Sequence, residues 1–421
     1  MMSFFFHLLR RLPAAALLAA LTLPALAQER LSLAEARALA LARSPQMRAQ
    51  DAAARSLAET AVAAGELPDP VLRLGIDNLP LNGPERLSLT RDFMTMRRIG
   101  LMQELPRGEK RQLRVERVAR DAQRVAAERA LAAATIERET ALAWIARWYA
   151  VATLDLLRQQ EEESRLQVQA AEVAFRSGRG NPADIFAGGA ALAGLQDRMR
   201  ESERQARSAS LMLARWIGAE AAARPLAGAP SWREAGASPP GHRRGHPQLA
   251  VLAAQVAAAE TELRQAQAET RPDWTIEANY QQRGSAYSNM VSIGVSVPLQ
   301  LSRANRQDRV VAARAASLAE AQARLDDALL EHDAQVQVAQ SDWQAGRERV
   351  DQLVAALLPA ARQRSEAALA SYRSGRADLA ATLVARREEI DARLQVLALE
   401  METARQWAGL NYLTTATQEQ P

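Results

Sequence analysis

The chain has no cysteine, a single lysine (Lys110), four histidines and only 4% aromatic residues in 421. Without cysteine there are no disulfides, thiolate metal sites, thiol nucleophiles or lipidated N-terminal cysteine. So few histidines leave little material for a metal or acid–base centre. Also missing are paired carboxylates on a pocket, a nucleophile elbow, a phosphate loop and any metal-ligand spacing. These absences point away from an enzyme, a cofactor or a bound metal. Charge of one sign is lacking too: 53 basic residues, nearly all arginine, face 49 acidic ones for a net +4. That is near balance, and it forms no nucleic-acid footprint. Beyond the N-terminus no apolar run is long enough for a membrane-spanning helix, so any membrane crossing must be made of strands.

What is present begins with an export signal. His7, Arg10 and Arg11 form a basic start, Leu12 to Leu23 is apolar, and Pro24-Ala25-Leu26-Ala27 ends in an A-x-A pattern. Residues 1–27 read as a signal peptide cleaved before Gln28, with no acyl anchor to follow. As a helix the apolar stretch would reach only about 18 Å, against a hydrocarbon core of about 30 Å.

The remainder is an internal duplication with a period of about 200 residues. Ser44-Pro45-Gln46 and His246-Pro247-Gln248 each open a helical segment, ending at Leu67-Pro68-Asp69-Pro70 and Arg271-Pro272-Asp273. Two alternating stretches follow in each copy, then a very long helix ending at Phe175-Arg176-Ser177-Gly178-Arg179 or Tyr372-Arg373-Ser374-Gly375-Arg376. A closing helix ends each copy at Trp216-Ile217-Gly218 or Trp407-Ala408-Gly409. The first repeat spans 28–224, a Pro/Gly-rich linker 225–245, the second repeat 246–413, and a tail 414–421.

Period-2 alternation predicts strands at about 71–79, 98–105, 274–282 and 290–299, each with one apolar and one polar face. Their length suits a tilted barrel strand, although surface hairpins on a helical domain would read alike. The long helices are expected at about 109–177 and 304–374. A 69-residue helix is a rod of about 100 Å. Val115, Val118, Ala122, Val125, Arg129, Ala132 and Ile136 predict a coiled-coil seam on the first rod. Leu318, Ala321, Leu325, Ala328, His332 and Gln335 do so on the second, which Pro359 should kink. His332 reads as structural, and His242 and His246 as members of a solvated loop.

The order and spacing of these marks resemble the TolC-like outer-membrane efflux channels. The marks are Leu31-Ser32-Leu33-Ala34-Glu35-Ala36 before Ser44-Pro45, Gln103-Glu104-Leu105-Pro106, Leu358-Pro359-Ala360-Ala361 and Tyr372-Arg373-Ser374-Gly375. The resemblance implies a mainly α fold with a small β part. Helix–strand–strand–helix repeats would form an α-helical barrel in the periplasm below a shared transmembrane β-barrel, four strands per protomer and twelve in a homotrimer. It also implies a passive exit duct in the outer membrane, joined by a periplasmic adaptor (membrane fusion) protein to an inner-membrane pump of the resistance-nodulation-division type. A periplasmic coiled-coil scaffold without a pore is the competing reading, and the strand pairs tell against it.

Gly75-Ile76-Asp77-Asn78-Leu79-Pro80 and Asp92-Phe93-Met94-Thr95-Met96-Arg97-Arg98-Ile99-Gly100 resemble the heavy-metal branch of that family, with drugs or other small molecules as the alternative cargo. Met94, Met96 and Met102 are then either soft-metal ligands or, the weightier reading, gap-filling or lipid-facing side chains. Lipid-facing candidates on the strands are Ile276, Tyr280, Val291, Ile293 and Val295, with Ala278 and Val297 on the same face. Adaptor-contact candidates are Arg176, Ser177, Gly178, Arg373, Ser374 and Gly375 at the rod ends. Gate candidates are Asp184, Tyr372, Arg376, Asp378 and Val384. Asp184 keeps the family's acidic position after the first tip. The second copy has Ala381 and Val384 where the better-known members carry acids, and offers Asp378 instead. Asp184 and Asp378 could equally be carboxylates that favour a helix start.

Overall fold

The structure, a computed structural model, describes residues 30–178, 180–234 and 246–413. The expected signal peptide, Arg179, the linker residues 235–245 with His242, and the tail 414–421 lie outside the described residues. Short helices open the chain. In α1 (Leu33–Arg43) the Ser32 hydroxyl accepts the Glu35 N–H at 3.1 Å, and before α2 (Pro45–Ala64) the Ser44 hydroxyl accepts the Met47 N–H at 3.3 Å. Serine at the cap with proline behind it is the chemistry of a helix start.

Strands β1 (Val71–Asp77) and β2 (Met96–Leu105) lead into α3 (Gly108–Arg176), an unbroken 69-residue rod. Helix α4 (Pro182–Ile217) returns along it, and α5 (Ala219–Ala223) closes the first copy. The second copy repeats the order. It comprises α6 (Pro247–Glu269), β3 (Trp274–Gln282), β4 (Met290–Ser296), a 3-10 turn, α7 (Gln307–Gln352), α8 (Leu358–Arg373) and α9 (Leu379–Leu413). Strand β4 stops at Ser296, so Val297 falls beyond it.

The second rod is broken where expected. A π-helical turn, Leu353–Leu357, separates α7 from α8, and Pro359 sits in the first turn of α8. Proline cannot supply the next helical N–H, and the wider turn absorbs the missing bond.

The rods' buried rows differ from the expected seams. On α3, Val118, Val125, Ala132 and Ile136 are buried, whereas Val115, Ala122 and Arg129 lie exposed. A single chain packs one seven-residue row inward and leaves the alternate row on its flank. On α7, Leu318, Ala321, Leu325, Ala328 and His332 are inward positions, but Gln335 is exposed and Val336 is buried in its place. His246 is not solvated: it is 6% exposed at the start of α6, with its ring 4.2 Å from that of His332. The position before Pro247 turns the ring onto the second rod.

The main core lies midway along the rods, where Trp144, Ile145, Leu213, Ile217, Val350, Ala404 and Ala408 meet. The described part of the linker is built into it. Trp232 donates to the Tyr149 hydroxyl at 2.9 Å, and its own carbonyl accepts from Trp343 at 3.0 Å. These bonds tie the two copies together with buried aromatic side chains whose polar tips are satisfied.

Candidate functional site

The four strands form one antiparallel sheet in the order β1-β2-β3-β4, with the copies joined between β2 and β3. Register aligns side chains by face. Leu72, Leu74 and Ile76 lie beside Ile99 and Leu101, then Ala278 and Tyr280, then Val291 and Ile293, with Ile276 and Val295 completing the row. All these apolar side chains are exposed, Ile293 to 77%. The opposite face carries Arg73, Asp77, Arg98, Glu277, Asn279 and Ser292. There all but the exposed Arg73 are half-buried or buried, and the charged groups engage one another: Arg98 with Asp77 at 3.3 Å, Arg73 with Glu277 at 3.4 Å. Gly100 is needed on this face, because a Cβ there would lie 1.9 Å from the Asn279 Oδ1 that folds across it. The sheet thus exposes its oily side and shelters its polar one, the inverse of a sheet in water.

Met96 and Met102 lie on the polar face, not on the apolar one. The Met102 sulfur accepts from the Arg73 guanidinium at 2.9 Å, and a cation on that sulfur repels a second one. Met94 is exposed in the β1–β2 connection.

Where sheet meets rods, Lys110 is 3% exposed and held by Asp273 at 2.8 Å and Glu269 at 2.9 Å. Asp273 also accepts the Arg107 N–H at 3.1 Å, next to the start of α3. The lone lysine was the sequence signal for this clamp, but its partners were not legible.

At the far end the rods turn over in two matching tips. Gly178 and Gly375 both have φ +73°, a conformation that glycine adopts without strain. Arg176, Ser177, Arg373 and Ser374 are exposed around them. Ser177 and Ser374 each return a hydroxyl hydrogen bond to a carbonyl three residues back. Phe186, 77% exposed, and Val173, neither singled out by the sequence reading, join Phe175 of the tip motif in an exposed apolar surface.

The gate candidates separate by role. Asp378 precedes α9 and accepts the Ala381 N–H at 2.8 Å, a helix cap. Asp184 stands in the first turn of α4, whose cap is Asn181, accepting from Ala183 at 3.0 Å. Asp184 is half-buried and faces the other copy: burial, and then the Asp184 charge, pushes the Tyr372 hydroxyl above its ordinary pKa. Arg376 is exposed and makes no ion pair with Asp184. Val384 is 53% exposed on α9. Farther from the tip, buried Glu389 joins Arg386 at 2.7 Å and Arg393 at 2.6 Å, and Arg386 also meets Glu163 of α3. Arg198 of α4 reaches Asp391 at 2.7 Å. The two cross-copy pairs, Arg386–Glu163 and Arg198–Asp391, escaped the sequence reading.

A mainly helical protomer with paired rods and a four-stranded antiparallel strip has the fold of outer-membrane channels, helical tubes below a β-barrel. Residues 242–415 match the family described as outer membrane efflux protein. No curated protein gives a significant match. The chain is similar to VceC of Vibrio cholerae, at 18% identity and TM-score 0.74 over 92% of this chain and 97% of that one. It is also similar to the CmeC outer membrane channel of Campylobacter jejuni, at 12% identity and TM-score 0.76 over 92% and 87%. The open-state MtrE outer membrane channel of Neisseria gonorrhoeae matches at 15% identity and TM-score 0.70 over 91% and 88%. At such identities the likeness establishes the fold.

Proposed function

We propose that the protein is the outer-membrane exit duct of a tripartite efflux system, a passive conduit with no catalysis of its own. The observation that carries this reading is the inside-out sheet with free edges at β1 and β4. Four strands are too few to close a barrel, since the smallest natural ones use about eight. An open edge in lipid strands backbone groups at several kcal/mol each. Three copies pooling their strands remove the edges, place Ile276, Tyr280, Val291, Ile293 and Val295 against lipid, and line the lumen with the charged face. A scaffold without a pore has no use for an exposed oily sheet.

The rods then descend into the periplasm, where Arg176, Ser177, Gly178, Arg373, Ser374 and Gly375 meet an adaptor that connects to an inner-membrane pump of the resistance-nodulation-division type. Heavy-metal cations are the proposed cargo, with drugs or other small molecules as the alternative. The Arg73 cation on Met102 speaks against metal relay along the wall, so selection falls to the pump. Extraction of the outer membrane tests the duct: a heat-resistant trimer that conducts ions in planar bilayers supports it, and a soluble periplasmic monomer overturns it. Reversing charge at Arg176 and Arg373 should leave the trimer intact and abolish resistance. Full resistance would remove the tips from the adaptor contact.

A further inference from the structure

At its loop end the oily face of the sheet changes chemistry. Register places Arg97 on the face of Ile99 and Leu101, between Ile76 of β1 and Gln282 of β3. Its guanidinium donates to the Arg283 carbonyl at 3.4 Å. Arg283 in turn donates to the Phe93 carbonyl and lies 5.0 Å from the centre of the Tyr287 ring. The β1–β2 connection is packed on this corner: a Cβ on Gly284 would fall 1.8 Å from the Thr90 carbonyl oxygen. Arg91 follows Thr90 in that connection, and its guanidinium meets the Ser88 hydroxyl at 3.4 Å.

Arg97 and Arg283 are thus linked directly, Arg91 stands on the connection packed against them, and none of the three has a carboxylate partner among the described residues. The nearest acids in sequence are engaged elsewhere. Asp77 holds Arg98, and Asp92 accepts the N–H groups of Met94 and Thr95 and the Thr95 hydroxyl. Along the helices, by contrast, arginines such as Arg124 and Arg264 carry carboxylates at hydrogen-bond distance. Each cluster arginine spends donors on neutral oxygens only and keeps others of its five free. Beside them Phe93, Leu89 and Tyr287 are exposed. Fixed cations above an oily band complement a molecule with an anionic head and acyl tails, and the guanidinium fork suits phosphate oxygens in particular.

We propose that Arg91, Arg97 and Arg283 bind the phosphate of a phosphorylated glycolipid in the outer leaflet, with its acyl chains lying along Ile76, Ile99, Leu74 and Tyr280. The proposal rests on the reading of the oily face as lipid-facing. Full-length trimer extracted from outer membranes and stripped of lipid would be titrated with bisphosphorylated lipid A, its dephosphorylated form, and inorganic phosphate. Saturable binding of the bisphosphorylated form is expected. R97Q/R283Q should weaken it by about tenfold or more per guanidinium, the scale of a charge-assisted hydrogen bond. R91Q, on an exposed side chain, guards against misfolding of the double variant and should weaken binding too, while R362Q on α8 should not.

Equal binding by R91Q and R97Q/R283Q, or equal binding of the dephosphorylated form, would overturn the phosphate site. Inorganic phosphate binding as tightly as the lipid would make the corner a free-anion site and overturn the lipid assignment. Failure of the underlying reading is visible earlier, because no trimer would then be recovered from the outer membrane, and the proposal would fall with it.

Discussion

The Lys110 ammonium lies 2.8 Å from the Asp273 carboxylate, joining the start of the first rod to the start of β3 in the second copy. Glu269 at 2.9 Å completes the clamp, and the lysine is buried beneath it. A strip of sheet that must keep its angle to two long rods needs a fixed joint, and an ammonium with two carboxylates provides one.

Lys110→Met should therefore weaken the joint. Removing one member of a buried pair costs about 3–5 kcal/mol, and the low end applies because Glu269 can turn to water. The temperature at which the proposed trimer loses detergent resistance should fall clearly. K110M/D273N, which also removes the orphaned charge, should recover part of the loss. An unchanged temperature for K110M would make the clamp incidental.

The joint also marks the limit of what one sequence discloses. Strand alternation at Trp274–Gln282 was legible because a face repeats every second residue, and the tips because the same glycine turn occurs twice. Periodicity gave the seam spacing of α3 but not which row turns inward, so Val115 and Ala122 were misplaced. The partners of Lys110 lie 159 and 163 residues away, a distance over which no local pattern reports. His246 was misread for the same reason: its neighbour His332 belongs to another element.

The faces of the sheet make opposite demands on one substitution. Ile293→Arg places a charge on the oily face, at a cost of about 2–4 kcal/mol near the bilayer midplane. Ser292→Arg places it one residue away on the polar face, which already holds Arg73 and Arg98. I293R should fail to assemble in the outer membrane, whereas S292R should assemble and alter conductance. Equal recovery of both trimers would contradict the face assignment.

Glu400 should make stability depend on pH. Burial raises its carboxyl pKa, and the positive charge of Arg233 offsets this only in part. A group raised in the folded state favours folding fully below its unfolded value, roughly 4.3. That contribution is lost as pH rises through the folded value. Glu400→Gln keeps the neutral shape at every pH. The melting temperature of E400Q should exceed that of the native protein at neutral pH, and the gap should close on acidification towards pH 4. A gap independent of pH would mean that packing, not ionisation, sets the difference.

Asp184 offers a clean probe of the proposed gate, because the cap of α4 belongs to Asn181 and survives its loss. Removing a first-turn carboxylate costs only about 0.3–1 kcal/mol of helix stability. What Asp184→Ala does remove is the charge facing Tyr372 of the second copy. If that contact holds the two tips together, single-channel conductance at rest should rise in D184A, and Tyr372→Phe should shift it the same way by less. If Arg376, exposed and unpaired with Asp184 in one chain, reaches the same carboxylate from an adjacent protomer, Arg376→Gln should also open the channel. Ala381 and Val384 are exposed on α9 near this tip. Substituting Asp at both should add a ring of carboxylates and a block by divalent cations that the native channel lacks. Unchanged resting conductance in D184A, with only a small fall in melting temperature, would assign Asp184 to the helix start and move the gate to another level of the tube.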